Sequence, residues 1–182
     1  MSLLRIYDEK GRLLKELTDP EEIAKELEKL GVLFERWQAN RPLSKDATDE
    51  EVIKAYEDEI KRLIERYGFK SYDVVSLTPD HPKKKELREK FIKEHTHSDF
   101  EVRYFVEGDG VFYLHPDDKV YVLHCTAGDL ISVPPNTKHW FDMGENPSFR
   151  CIRLFTTPEG WKAEFTGSGI EERFPKYEEI VR

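Results

Sequence analysis

The residues best suited to chemistry lie in one short segment, His95-Thr96-His97 followed by Glu101. Side chains alternate along an extended backbone, so His95 and His97 share a face and Glu101, four residues beyond His97, stays in phase. If the run is extended throughout, three metal-competent groups point into one interior. A fourth, His139, closes the proline-rich turn Val133-Pro134-Pro135-Asn136-Thr137-Lys138-His139, and an antiparallel neighbour would bring it opposite the first three. Three neutral imidazoles and one carboxylate suit Fe(II), Ni(II), Mn(II), Co(II) or Zn(II), and an octahedral ion would keep two positions open. Two adjacent open positions are what a chelating substrate needs. Taken singly, a histidine in a strand-rich protein is usually a hydrogen-bonded structural residue, and His81, His115 and His124 are read that way. The joint pattern differs, because burying His95, His97, Glu101 and His139 without a common purpose would be costly.

The elements that must position these groups change character along the chain. After an opening strand at Leu3–Tyr7, Asp19-Pro20-Glu21-Glu22 gives an N-cap followed by Pro at the first helical position, and predicts a helix ending at Gly31. Thr48-Asp49-Glu50-Glu51 is a capping box, and Val52, Tyr56, Ile60, Leu63 and Tyr67 recur at helical spacing up to Gly68. From residue 72 the pattern shifts to short runs rich in Val, Ile, Phe, Tyr and Thr: Val74–Leu77, Glu101–Glu107, Gly110–His115, Val120–Cys125, Leu130–Pro134 and Arg150–Thr156. Turn residues separate them, as in Glu107-Gly108-Asp109-Gly110 and Ala127-Gly128-Asp129. A short helix at Lys83–Lys93 leads into this region. Regularly spaced short strands predict a sandwich or barrel. The expected organisation is therefore a mostly helical layer over 1–71, a barrel core over 72–158 and an extension over 159–182 with no clear pattern.

Composition limits the function classes. The chain has 182 residues, room for one sizeable core. A formal net charge of −8 argues against sequence-independent nucleic-acid binding, which depends on Lys and Arg neutralising phosphates. The basic run Lys83-Lys84-Lys85 alternates into Glu86, Arg88 and Glu89 and reads as a solvated helix face. No apolar run approaches the ~20 residues of a membrane span, and the first residues lack the pattern of an export signal. We expect a cytoplasmic, monomeric protein. Cys125 and Cys151 both fall in strand-like runs at a spacing that matches no zinc pattern, so reduced, buried thiols are expected.

The segment His95-Thr96-His97-Ser98-Asp99-Phe100-Glu101, continuing to Gly108, resembles the first cupin motif, and Gly128-Asp129 through Pro134 to His139 resembles the second. Two departures stand out. Glu89 falls where a glycine is common upstream, and Asn136 replaces a glycine of the second motif; asparagine tolerates the left-handed region, so that turn can survive. The resemblance implies a single cupin domain over 1–182, a mainly β double-stranded β-helix or jelly roll with helical N-terminal additions. Glu94 to Tyr104, Gly128 to Asp142 and the lead-in Phe91-Ile92-Lys93 are similar to the core of the acireductone dioxygenases of bacteria. What this implies is specific: His95, His97, Glu101 and His139 hold one Fe(II) or Ni(II) per monomer, and Arg103 helps form and bind the substrate dianion. The substrates would be O2 and the acireductone 1,2-dihydroxy-5-(methylthio)pent-1-en-3-one, an intermediate of methionine salvage. Phe91, Phe141 and Trp161 are candidates for an apolar wall near its methylthio tail. The family associates the positions of Glu94 and Phe100 with metal incorporation and with transmission of local change. Lys138, beside His139, is read as a solvated lysine. Two alternatives remain: a cupin isomerase or decarboxylase, which would consume no oxygen, and a non-catalytic small-molecule-binding cupin.

Overall fold

The strand-rich stretch folds into two antiparallel sheets that share one long strand. The computed structural model describes residues 2–38, 43–44, 46–157 and 162–181. In chain order the elements are β1 (Leu3–Asp8), β2 (Leu13–Leu17), α1 (Pro20–Glu28), β3 (Leu33–Arg36), α2 (Asp49–Ala55), α3 (Glu57–Tyr67) and β4 (Ser71–Leu77). There follow α4 (Lys84–Phe91), β5 (His95–Thr96), β6 (Glu101–Leu114), β7 (Lys119–Thr126), β8 (Asp129–Val133), β9 (His139–Asp142) and β10 (Phe149–Phe155). After β11 (Glu164–Phe165), a 3-10 turn at Ile170–Arg173 and α5 (Tyr177–Ile180) complete the described chain. One sheet runs β11-β5-β9-β6-β7-β1-β2. The other runs β4-β10-β6-β8-β3.

β6 belongs to both sheets. Its first half pairs with β8 and β10, and its second half with β7 and β9. Val102, Tyr104 and Val106 pack in the layer beneath the helices, whereas Phe105 and Phe112 belong to the central core. Inward positions are therefore odd-numbered before the bend and even-numbered after it. A strand alternates with period two, so this change of phase requires one extra residue. The register supplies it: Arg150 faces Glu107, but Cys151 faces Phe105. Where the turn residues around Gly108 predicted two strands, the structure has one continuous strand with a bulge and a bend.

Gly108 makes that bend possible. Its φ is +76°, and a Cβ would lie 1.9 Å from the Ser148 carbonyl oxygen. Gly108→Ala is expected to destabilise the fold by about 2–5 kcal/mol, combining ~1–2 for the left-handed backbone and ~1–3 for overpacking. Urea unfolding midpoints compared at constant m-value would measure it; a wild-type midpoint would mean the bend relaxes freely.

The N-terminal third departs from its mostly helical reading. β1 pairs with β7 and β2, and β3 pairs with β8, so this region extends both sheets. The periodic run from Thr48 to Gly68 is interrupted at Tyr56, whose φ of −112° and ψ of 22° leave the helical region. Tyr56 packs edge-on against Tyr104, with ring centroids 5.4 Å apart, and α2 and α3 present Val52, Ile60 and Leu63 to the same outer sheet face. The expected ends are present. Thr48 and Glu51 form the capping box, and Gly68 ends α3 in the left-handed conformation. Asp19 occupies the N-cap of α1 without a side-chain hydrogen bond, leaving Pro20 as the start signal. Cys125 and Cys151 are free and buried. No helix among the described residues is long and apolar enough to cross a membrane.

Candidate metal centre

His95, His97, Glu101 and His139 converge from strands of both sheets. All four are buried, and one ligand atom from each lies within 4.8 Å of all the others. A cation with bonds of about 2.1 Å holds its donors roughly 3–4 Å apart, so adjustments of a few tenths of an ångström in these side chains would close the cluster around one ion. The route to this arrangement differs from the one read in the sequence. The chain is not extended from His95 to Glu101; it bends at Ser98-Asp99. β5 therefore delivers His95 from one sheet, paired with His139 of β9, while Glu101 opens β6 opposite Val133 of the other. Asn136 has a φ of 64°, the one positive value on a non-glycine residue among those described, and its N–H donates to the His97 carbonyl at 2.7 Å. The asparagine that replaces a motif glycine thus takes the glycine's conformation and ties the two motifs together.

Hydrogen bonding prepares the rings to coordinate. A carbonyl can only accept, so Nδ1–H of His95 donates to Lys93 O at 2.7 Å, and Nδ1–H of His139 donates to Thr137 O at 2.7 Å. Each bond fixes the ring and leaves Nε2 to face the cluster. Burial, reinforced by His139, pushes the His95 ring down to about 4, so it is neutral at ordinary pH. Burial favours the neutral acid at Glu101, but His139, His97 and Arg103 outweigh it and hold the carboxyl well below its usual range. Burial likewise opposes a proton on His139, yet the touching Glu101 carboxylate raises that ring. His97 Nε2 lies 3.4 Å from Glu101 Oε2. A divalent cation here would take over the role of the His139 proton and satisfy the carboxylate from the same position.

Arg103 extends the site. Its Nε is 3.2 Å from Glu101 Oε1, and its guanidinium carbon lies 4.7 Å from the Phe141 ring centre and 5.6 Å from that of Phe112. Beside it stands the Cys151 thiol, which burial pushes up to about 12 against the pull of Arg103. Phe141 is buried in the inner core and Phe91 packs partly buried against it. Trp161 lies outside the described residues. Glu94 is buried and accepts from Thr166 and Ser168 while bonding His115 Nδ1 at 2.6 Å. Phe100 is exposed between the bend and Glu101, and Lys138 is half-buried. His115, His124 and His81 hydrogen-bond to Glu94 and Glu9, to Asp109, and to the Lys83 N–H respectively, outside the cluster. Glu89 lies within α4, where no turn glycine is required.

Sequence reasoning gave Asp99 no role. Asp99 is buried at the bend and accepts from Phe100, Thr156 and Thr157; burial pushes its carboxyl up, but these bonds bring it below its usual range. An acidic residue between ligands was its one signal.

A family model described as the ARD/ARD' family matches residues 3–163. An acireductone dioxygenase of Aquifex aeolicus (strain VF5) is 76% identical over 181 residues, covering 100% of this chain and 99% of that protein. One of Hydrogenobaculum sp. (strain Y04AAS1) is 59% identical over the same shares. Among solved structures, an acireductone dioxygenase from Bacillus anthracis with a cadmium ion in its active centre matches with a TM-score of 0.79 and 32% identity, over 91% of this chain and 98% of that one. Matched over residues 3–163 by the family model and along almost the whole chain by these relatives, the chain belongs to the acireductone dioxygenase family.

Proposed function

We propose that the chain cleaves 1,2-dihydroxy-5-(methylthio)pent-1-en-3-one with O2 in methionine salvage, using Fe(II) or Ni(II) held by His95, His97, Glu101 and His139. The observation that carries this reading is the buried cluster of three imidazoles and one carboxylate with Arg103 against its carboxylate. When bound, the ion supplies Lewis acidity and a template for a chelating substrate. The protein supplies the rest. Two backbone carbonyls fix the orientation of the His95 and His139 rings, so their Nε2 atoms would be the ones to hold the ion. Arg103 presents a permanent charge to the enolate oxygens and favours the ionised substrate. Phe91 and Phe141 form an apolar wall for the methylthio tail, whose sulfur packs well at ring edges. Trp161 joins that wall by family resemblance alone. Glu94, bonded to His115, Thr166 and Ser168, supports the segment entering His95 and assists metal incorporation. Phe100, between the bend and Glu101, is the position through which local change passes.

The products depend on the metal. With Fe(II) they are formate and 4-methylthio-2-oxobutanoate; with Ni(II) they are formate, carbon monoxide and 3-(methylthio)propanoate. Both sets account for every atom of substrate and O2. Ni(II) follows Fe(II) in the Irving–Williams order and binds such a site more tightly, so metal supply as well as affinity decides the outcome in the cell. Stripping the protein, reloading each metal separately and measuring carbon monoxide and oxygen uptake tests the reading. Carbon monoxide is expected from the nickel form alone. Its appearance from both forms or from neither would sink the metal-dependent outcome, and turnover without oxygen uptake would sink the dioxygenase reading for this chain.

A further inference from the structure

We infer that Asp99 is a positioning residue for the metal centre: its carboxylate clamps the bend between the two sheets and thereby sets where Glu101 stands relative to the three imidazoles. The inference rests on the metal-site reading above. Asp99 lies outside the ligand cluster, yet it is only 3% exposed and its carboxylate gathers five donors. Oδ1 accepts from the Phe100 N–H at 2.7 Å and from the Thr156 hydroxyl. Oδ2 accepts from the N–H groups of Thr156 at 2.9 Å and Thr157 at 3.1 Å, and from the Thr157 hydroxyl at 3.3 Å.

The location of these donors gives the clamp its purpose. Thr156 and Thr157 directly follow β10, whose pairing with β6 stops at Leu154 opposite Val102. Glu101 sits one residue beyond that last pair, held on its other side by Val133 of β8. Asp99 continues the β10 attachment past the end of the ladder, with a side chain in place of backbone. Glu101 is thus fixed from both flanks, while His95 and His139 are fixed by β5 and β9.

Only a carboxylate meets this set of partners. It accepts at both oxygens and donates at neither. An asparagine must turn its NH2 toward one side, where it meets the Phe100 N–H in one orientation and two backbone N–H groups in the other. Hydroxyls can reverse their role; backbone N–H groups cannot. The bend would shift to relieve the clash, and a shift of ~0.5 Å is enough to loosen a coordination site.

The test uses the metal-stripped full chain, titrated with Co(II) against a chromophoric chelator, with the Co(II) d–d spectrum reporting ligand geometry. Asp99→Asn is expected to remain folded by far-UV circular dichroism, to bind Co(II) about 10- to 100-fold more weakly and to change the spectrum, the range typical of lost outer-shell partners. Thr156→Val, which removes one hydroxyl and keeps the backbone donors, should shift both readouts in the same direction by less. If either folded variant shows only a lower unfolding midpoint, with wild-type affinity and spectrum, Asp99 is merely structural and the inference is overturned. If Asp99→Asn does not fold, Thr156→Val decides: unchanged affinity and spectrum overturn the inference. Wild-type protein that binds no Co(II) would bring down the metal-site reading itself, an outcome distinct from wild-type binding with unaffected variants.

Discussion

His139→Ala is expected to abolish tight metal binding and turnover together. The ring supplies one of four donors, and it alone comes from the second motif. Its Nδ1–H is committed to Thr137 O, so the ring stands in one orientation with Nε2 against Glu101. Removing it opens space that water enters and leaves Glu101 with His97 and Arg103 as its remaining partners. Loss of an outer-shell partner costs about 10- to 100-fold in metal affinity, and loss of a direct ligand should exceed that range. The backbone pairing of β9 with β6 does not involve the ring, so the fold should persist. His97→Ala should behave alike, because its backbone carbonyl still accepts from Asn136. Metal content by elemental analysis, paired with turnover on acireductone and circular dichroism, measures all three. Full occupancy with unchanged turnover in either variant would remove these residues from the ligand set.

The cluster of His95, His97, Glu101 and His139 was legible in the sequence, although the reasoning that found it took a path the backbone does not follow. Spacing along an extended strand placed His95, His97 and Glu101 on one face. The chain instead bends at Asp99 and brings Glu101 in from the other sheet. Spacing alone cannot distinguish the two routes, because the side chain that makes the bend finds its partners at Thr156 and Thr157, far along the sequence. β6 shows the same limit. Gly108 looks like a turn between strands, and only the register with β10 reveals a bulge inside one strand. The break at Tyr56 is set by packing on Tyr104, which helical periodicity does not encode. β2, Leu-Leu-Lys-Glu-Leu, is largely exposed and does not alternate, and the two-residue strands β5 and β11 are too short to show a period-two pattern. Local signals fared better where the physics is local: the Thr48–Glu51 capping box, Gly68 and the left-handed Asn136 all stand where their chemistry predicts.

Arg103→Ala is expected to keep the metal and lose turnover. Arg103 is two residues beyond Glu101 on the same face of β6, and both side chains are buried. A buried cation is costly unless something anionic repays it, and Glu101, 3.2 Å away, is shared with the metal site. Phe112 and Phe141 flank the guanidinium and restrict its motion, so its charge is held where substrate oxygens would gather. Such a group stabilises an ionising substrate without reorganising, and losing one preorganised donor costs about 10²-fold or more in rate. Because Arg103 is no ligand, metal content should remain near that of the wild type even as kcat/KM falls by that factor. Arg103→Lys should recover only part of the loss, since an ammonium retains charge but not the planar fork that meets two oxygens together. A purely structural ion pair predicts a different pattern: lower stability and looser metal in Arg103→Ala, with normal kcat/KM per bound ion. Single-turnover measurements at saturating metal separate the two, and an unimpaired kcat/KM would assign substrate ionisation to another group.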